Sequence, residues 1–133
     1  MEAPPKTGED IKLIHINGHR LSVKIADTEA EREQGLMGVL RVEGYDGMLF
    51  IFANDGDVSF WNKQTPLDLD LVWIKDNRVL SVDFLPREPQ NGLKIVPSPG
   101  AVDMVLELPR GRAEEFGIIS GALVSLPPEL ELR

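Results

Sequence analysis

The sequence predicts a mainly β fold, a single-domain β-sandwich or jelly-roll-like barrel with two short helices, and three observations carry that prediction. Eight or nine short apolar or alternating runs succeed one another at spacings typical of sandwiches and barrels. Asn-Gly, Asp-Asn and proline-containing turns separate them. A length of 133 residues suits one domain able to bury a sizeable core.

Taken in order, residues 11–16 and 20–25 are apolar runs either side of Asn17-Gly18, the dipeptide favoured in a type I′ hairpin turn. In the second run Leu21, Val23 and Ile25 alternate with Ser22 and Lys24, which gives one buried and one wet face. Thr28 and Glu31 form a capping box, so a short helix starts there and ends near Gly35. Residues 47–52 are almost wholly apolar, as in a strand buried on both faces, with a turn at Asn54-Asp55-Gly56-Asp57 and a returning strand over residues 58–61.

Residues 67–74 form the next strand, Asp76-Asn77 its turn and residues 78–84 its partner. Pro86, Pro89, Pro97 and Pro99 then break up the chain, leaving residues 93–96 as a short edge strand. Val102, Met104, Leu106 and Leu108 alternate with Asp103, Val105 and Glu107 in a clear strand. Pro109 opens a second short helix through Arg112, Ala113 and Phe116, closed by Gly117, and residues 118–126 form a closing strand ended by Pro127-Pro128.

Composition narrows the function classes. Hydrophobic residues at 42% and charged residues at 27% are ordinary globular values. A net charge of −8 with no basic run argues against a nucleic-acid or anionic-membrane partner, because both are bound by Lys and Arg neutralising phosphate. The absence of cysteine excludes a disulfide framework, a thiolate metal site and a cysteine nucleophile. No apolar run reaches the roughly 18 residues needed to span a bilayer. Residues 1–10 read as a flexible polar leader ahead of a single domain over residues 11–133.

Metal and cofactor signals are equally sparse. His15 and His19 straddle a turn with no third His to complete a metal site, and Asn54-Asp55-Gly56-Asp57 lacks the distal Glu of a calcium loop. No phosphate loop, dinucleotide fingerprint or nucleophile elbow is present, so no cofactor, metal or catalytic residue is expected.

Chemistry concentrates instead in residues 58–70. Phe60 and Trp61 alternate across a strand, so one points to the core and the other away; an outward Trp61 beside Lys63 and Asp68 would form a stacking platform. Asp68 and Asp70 share a strand face, as a solvated pair, as a structural partner of Lys63 or Arg32, or as one half of a carboxylate pair with Glu107. Arg32 either forms surface ion pairs with Glu29, Glu31 and Glu33 or reaches inward to clamp Asp68, Glu107 or an anionic ligand.

Several motifs together are specific: Ile25-Ala26-Asp27-Thr28 with Glu31-Arg32, Gly35-Leu36-Met37, the apolar run over residues 47–52, Phe60-Trp61-Asn62-Lys63-Gln64-Thr65-Pro66-Leu67-Asp68-Leu69, and Val105-Leu106-Glu107-Leu108 with Gly111 and Gly117-Ile118. Through them residues 21–126 resemble the DUF192 (UPF0127) family, a prokaryotic group of unestablished biochemical role. The chain departs from the family pattern at Asn62, Gln64 and Thr65, where Met, Asn and an aliphatic residue are usual. The resemblance implies a compact β-sandwich or jelly roll. It also implies an extracytoplasmic home, periplasmic, secreted or lipoprotein-anchored, with a cytoplasmic one left open.

The leading expectation is a non-enzymatic ligand-binding or interaction domain of the cell envelope. It would hold a small polar or saccharide-like ligand, or a protein segment, near Arg32, Trp61, Lys63, Asp68 and Glu107. A carboxylate enzyme using Asp68 and Glu107 on saccharide-like substrates is the rival, and a purely structural module is the third reading. Oligomeric state is left open.

Overall fold

Two hairpin turns fix the outer strands. Asn17 and Gly18 take φ of 50° and 84°, Asp76 and Asn77 φ of 50° and 61°, the left-handed pair of a two-residue turn that matches the right-handed twist of the strands it joins. In the computed structural model, which describes residues 11–131, the first turn joins β1 (Ile11–Ile16) to β2 (His19–Ala26). The leader expected over residues 1–10 lies outside the described residues. The second turn joins β5 (Leu69–Lys75) to β6 (Arg78–Leu85).

Between the hairpins the chain forms α1 (Glu29–Gln34), β3 (Gly47–Gly56) and β4 (Ser59–Trp61). After β6 come α2 (Glu88–Asn91), β7 (Ile95–Pro97), β8 (Val102–Pro109), α3 (Arg112–Glu115), β9 (Val124–Ser125) and α4 (Pro128–Glu131). The molecule is mainly β with four short helices, two more than the sequence suggests. The extra two are single turns with proline in their first turn, where a missing N–H costs nothing.

Seven strands form one sheet in the order β6-β5-β8-β3-β2-β1-β9. All its pairings are antiparallel except β2 with β3, a parallel pair whose crossover is supplied by α1 and the loop after it. The sheet curls until its edges meet. Val79 N–H donates to the Ala122 carbonyl at 2.9 Å, Gly121 N–H to Val79 at 2.7 Å and Val124 N–H to Asn77 at 2.8 Å, so the segment carrying β9 also touches the start of β6. Inside lie Ile14, Leu21, Val23, Leu49, Val72, Leu106 and Leu108, all fully buried.

The outer face of the same sheet carries a second core of Phe50, Leu71, Trp73, Leu85 and Val105. The two-stranded ribbon of β4 and β7 covers it, with Phe60 and Val96 packed inward. Here the structure corrects the expected return of residues 58–61 onto β3: β4 pairs with β7 instead, Phe60 opposite Val96. The strand β3 itself runs on to Gly56, past the expected turn at Asn54, with an irregular register against β8 between Ile51 and Gly56. Pro109 ends β8 rather than opening α3, and the closing strand shrinks to two residues because Ile118 and Ala122 fill the interior from loop segments.

Among the glycines, the closest approach is at Gly47, the start of β3. A Cβ on Gly47 would overlap the carbonyl oxygen of Glu107 and press on the Leu108 side chain at 2.8 Å. Gly47→Ala is expected to cost roughly 3 kcal/mol, as overpacking against backbone does, in a denaturant unfolding experiment. Gly18→Ala meets open space and carries only the penalty of its positive φ, about 1 kcal/mol.

Candidate functional site

Where the ribbon and α1 cover the outer face they leave a pocket of about 330 Å³, within the range of small-molecule sites. Its floor is Glu107, its walls include Phe50, Phe52 and Phe60, and Arg32, Trp61 and Lys63 also line it. Each arrives for a local reason.

Thr28 caps α1 by accepting from the Glu31 N–H, and the Glu31 carboxylate in turn accepts from the Thr28 and Asp27 N–H groups at 3.2 Å. That cap fixes the helix over the end of β2 and places Glu29, Arg32 and Glu33, three and four residues apart, along the pocket. Arg32 turns inward: its guanidinium donates to the Ile51 carbonyl at 2.9 Å and lies 5.4 Å from the Phe52 ring centroid.

In β4, strand alternation separates the two aromatics. Phe60 points in, edge-on to Phe50 at 4.9 Å and to Trp73 at 5.8 Å between centroids. Trp61 points out, remains 46% exposed, and has the Lys63 ammonium 5.1 Å from its ring.

The turn after β4 is held by Asn62, which is fully buried. Its amide donates to the Pro86 and Gly92 carbonyls at 2.8 and 2.9 Å, and its oxygen accepts the Lys94 N–H at 2.7 Å. A buried amide with all these bonds made pins the proline-rich segment to the ribbon. Sequence reasoning marked Asn62 only as a departure from a family pattern. Its role was invisible there because its partners lie 24 to 32 residues away.

Glu107 is the outlier of the site. It stands on the outer face of β8 between Met48 of β3 and Leu71 of β5, and it is 4% exposed. Among the described residues its carboxyl group has no hydrogen-bond or ion-pair partner, although Arg32 and Lys63 line the same pocket. Burial pushes its pKa up from 4.5 to about 8, so it is predominantly protonated at neutral pH.

Asp68 does not line this pocket. It precedes β5, its carboxylate accepts the Arg87 N–H at 2.9 Å and its carbonyl the Arg110 N–H at 3.0 Å. Asp70 is likewise engaged, its carboxylate accepting the Gly111 and Ala113 N–H groups at 3.0 Å and so capping α3 from another strand. The structure thus brings Arg32, Trp61, Lys63 and Glu107 together and leaves Asp68 apart, so Asp68 and Glu107 share no cleft as an acid–base pair. Among the described residues no group of three or more His, Asp or Glu side chains is placed to hold a metal ion.

Three comparisons bear on this architecture. The family model DUF192, described as "Uncharacterized ACR", matches residues 12–126. A crystal structure from Sinorhizobium meliloti 1021, of a protein proposed to be a transcription regulator, is similar at 31% identity with a TM-score of 0.74, over 87% of this chain and 91% of that one. One of a protein of unknown function from Novosphingobium aromaticivorans DSM 12444 is similar at 25% identity with a TM-score of 0.77, over 92% and 99%. The search of curated proteins finds no match.

Two outcomes follow for these side chains. Because folded Glu107 holds its proton up to about pH 8 while the unfolded carboxyl releases it near 4.5, the folded state binds more protons between those values. Stability should therefore fall as pH rises from 5 to 8 and should level off above the folded value. In Glu107→Met this decline should shrink, leaving the variant roughly 2–4 kcal/mol more stable than the parent at pH 8 in denaturant melts. Asn62→Leu should lose about 3 kcal/mol and expose the Lys94 amide to fast hydrogen exchange, since three backbone groups lose their partner.

Proposed function

Starting from the fact that the chain belongs to the DUF192 family, described as uncharacterised, we propose that it is a non-enzymatic binding domain for a small polar or saccharide-like ligand. The ligand would sit between Trp61 and Glu107. The observation that carries this reading is Glu107 itself, a buried carboxyl with no partner facing a cavity large enough for a small molecule. An apolar side chain there would suit the outer core better, so the charge-capable group is a cost to folding that a ligand can offset.

The surrounding chemistry supports the same reading. Trp61 offers a half-exposed flat face, Lys63 and Arg32 offer donors, and the apolar rings beneath exclude water from the floor. The described function of the S. meliloti protein would invite a DNA-contacting role here too. A net charge of −8 supplies no basic footprint for that, so any regulatory role would run through the ligand or a protein partner.

Titration against saccharides and small polar metabolites, followed by tryptophan fluorescence, tests the reading. A ligand should shift the emission of half-exposed Trp61 while fully buried Trp73 stays silent. Trp61→Ala should weaken binding about threefold to tenfold, the magnitude of one lost aromatic contact, without lowering the melting temperature. A panel in which nothing binds, or binding that ignores both Trp61→Ala and Glu107→Gln, rejects it.

A further inference from the structure

Resting on the reading that this pocket binds a small molecule, we propose that the buried end of its ligand is an organic ammonium group, held by the Glu107 carboxylate as its counter-ion. The geometry leaves Glu107 without a cation while placing two cations in the same pocket. Arg32 is tied to the Ile51 carbonyl and stacked on Phe52, and Lys63 is stacked on Trp61. Neither pairs with Glu107, so its carboxyl group lies at the floor of the cavity with no protein partner among the described residues.

What surrounds those oxygens favours a positive charge over a neutral hydroxyl. The cross-strand neighbours Met48 and Leu71 bring no charge and no donor. The walls include the rings of Phe50, Phe52, Phe60 and Trp61, and the faces of aromatic rings attract cations. The other charged groups of the pocket are Glu29, Arg32 and Glu33 from α1 and Lys63 from the turn after β4, and they sum to zero. Glu107 therefore sets the sign of the floor once it ionises. Beyond the pocket, the net charge of −8 draws cations toward the protein. Arg32 and Lys63 then meet the ligand's other, hydroxyl-bearing or anionic end.

The binding step is proton-linked. Free Glu107 is protonated at neutral pH, so seating an ammonium forms the ion pair and releases one proton to solvent. Below pH 8 the apparent affinity should rise about tenfold per pH unit and then flatten. A neutral ligand indifferent to the proton shows no such rise, and one that accepts a hydrogen bond from the protonated Glu107 carboxyl weakens as that proton is lost.

The probe is n-butylamine, which like a lysine side chain stays protonated to about pH 10, compared with n-butanol. Binding is read on the methyl resonance of Met37, which lines the pocket and reports at any pH. The expected result is an amine affinity that rises close to tenfold between pH 6 and pH 7 and exceeds that of the alcohol at pH 8.5 by at least tenfold. In Glu107→Gln both the pH dependence and the preference should vanish. Equal affinity for alcohol and amine, or an amine affinity flat with pH, overturns the ammonium assignment on the parent protein alone, whether or not the variant folds. If methyl glucoside or butanol moves Met37 while the amine shows no preference, the pocket reading survives and only this inference falls. If amine, alcohol and glucoside all leave Met37 unmoved, both fall.

Discussion

The structure depends on one constraint: the central strand β8 is buried on both of its faces. It lies between β3 and β5, with Met104, Leu106 and Leu108 turned into the curled sheet and Val105 turned outward. A strand in that position needs cover on the outside as well as within, because a sheet with two apolar faces cannot leave either in water. The ribbon of β4 and β7, α1 and the proline-rich segment are that cover. Asn62 ties its parts together with three side-chain hydrogen bonds, both amide N–H groups donating and the oxygen accepting.

The pocket is a consequence of covering the outer face with small pieces. Inside the curled sheet, side chains from opposing strands fill the space, and the described residues there are fully or nearly fully buried. Outside, a ribbon of two three-residue strands cannot reach every part of the sheet, and the gap falls over Glu107. Of the forces acting at that position, desolvation dominates. With no donor bonded to it, the carboxyl gains nothing to offset its removal from water, and its affinity for a proton rises instead. Had Arg32 been free to swing to it, a buried ion pair would have closed the site. The bond to the Ile51 carbonyl and the packing on Phe52 hold that guanidinium elsewhere.

Much of this was legible in the chain, and the parts that were not share a cause. Local chemistry read correctly: Asn17-Gly18, the Thr28–Glu31 capping box, Asp76-Asn77 and the alternation of β8 all depend on residues within a few positions of one another. The pairing of β4 with β7 was hidden because nothing local distinguishes a strand that returns to its predecessor from one that skips ahead over 30 residues. Glu107 was named as a candidate site residue, but its burial was hidden for the same reason. Alternation puts it on the face opposite Leu106, and nothing local shows that the distant ribbon lies over that face. Asp68, a candidate ligand contact, and Asp70, its neighbour on the strand face, serve as acceptors for backbone N–H groups of Arg87, Gly111 and Ala113.

Cover and site cannot be tuned separately, and β4 shows why. Its three residues alternate, so the same pleat that sends Phe60 down onto Phe50 and Trp73 sends Trp61 up to the rim with Lys63. A one-residue slip against β7 would bury the indole and expel the phenyl ring, and the pocket would lose both its wall and its platform. What prevents the slip is again Asn62, the next residue along, whose backbone N–H donates to the Lys94 carbonyl at 3.2 Å while its side chain receives the Lys94 N–H. The residue that locks the fold is thus adjacent to the one that would touch a ligand. Ligand contact at Trp61 and retention of the cover over Glu107 therefore draw on the same hydrogen bonds.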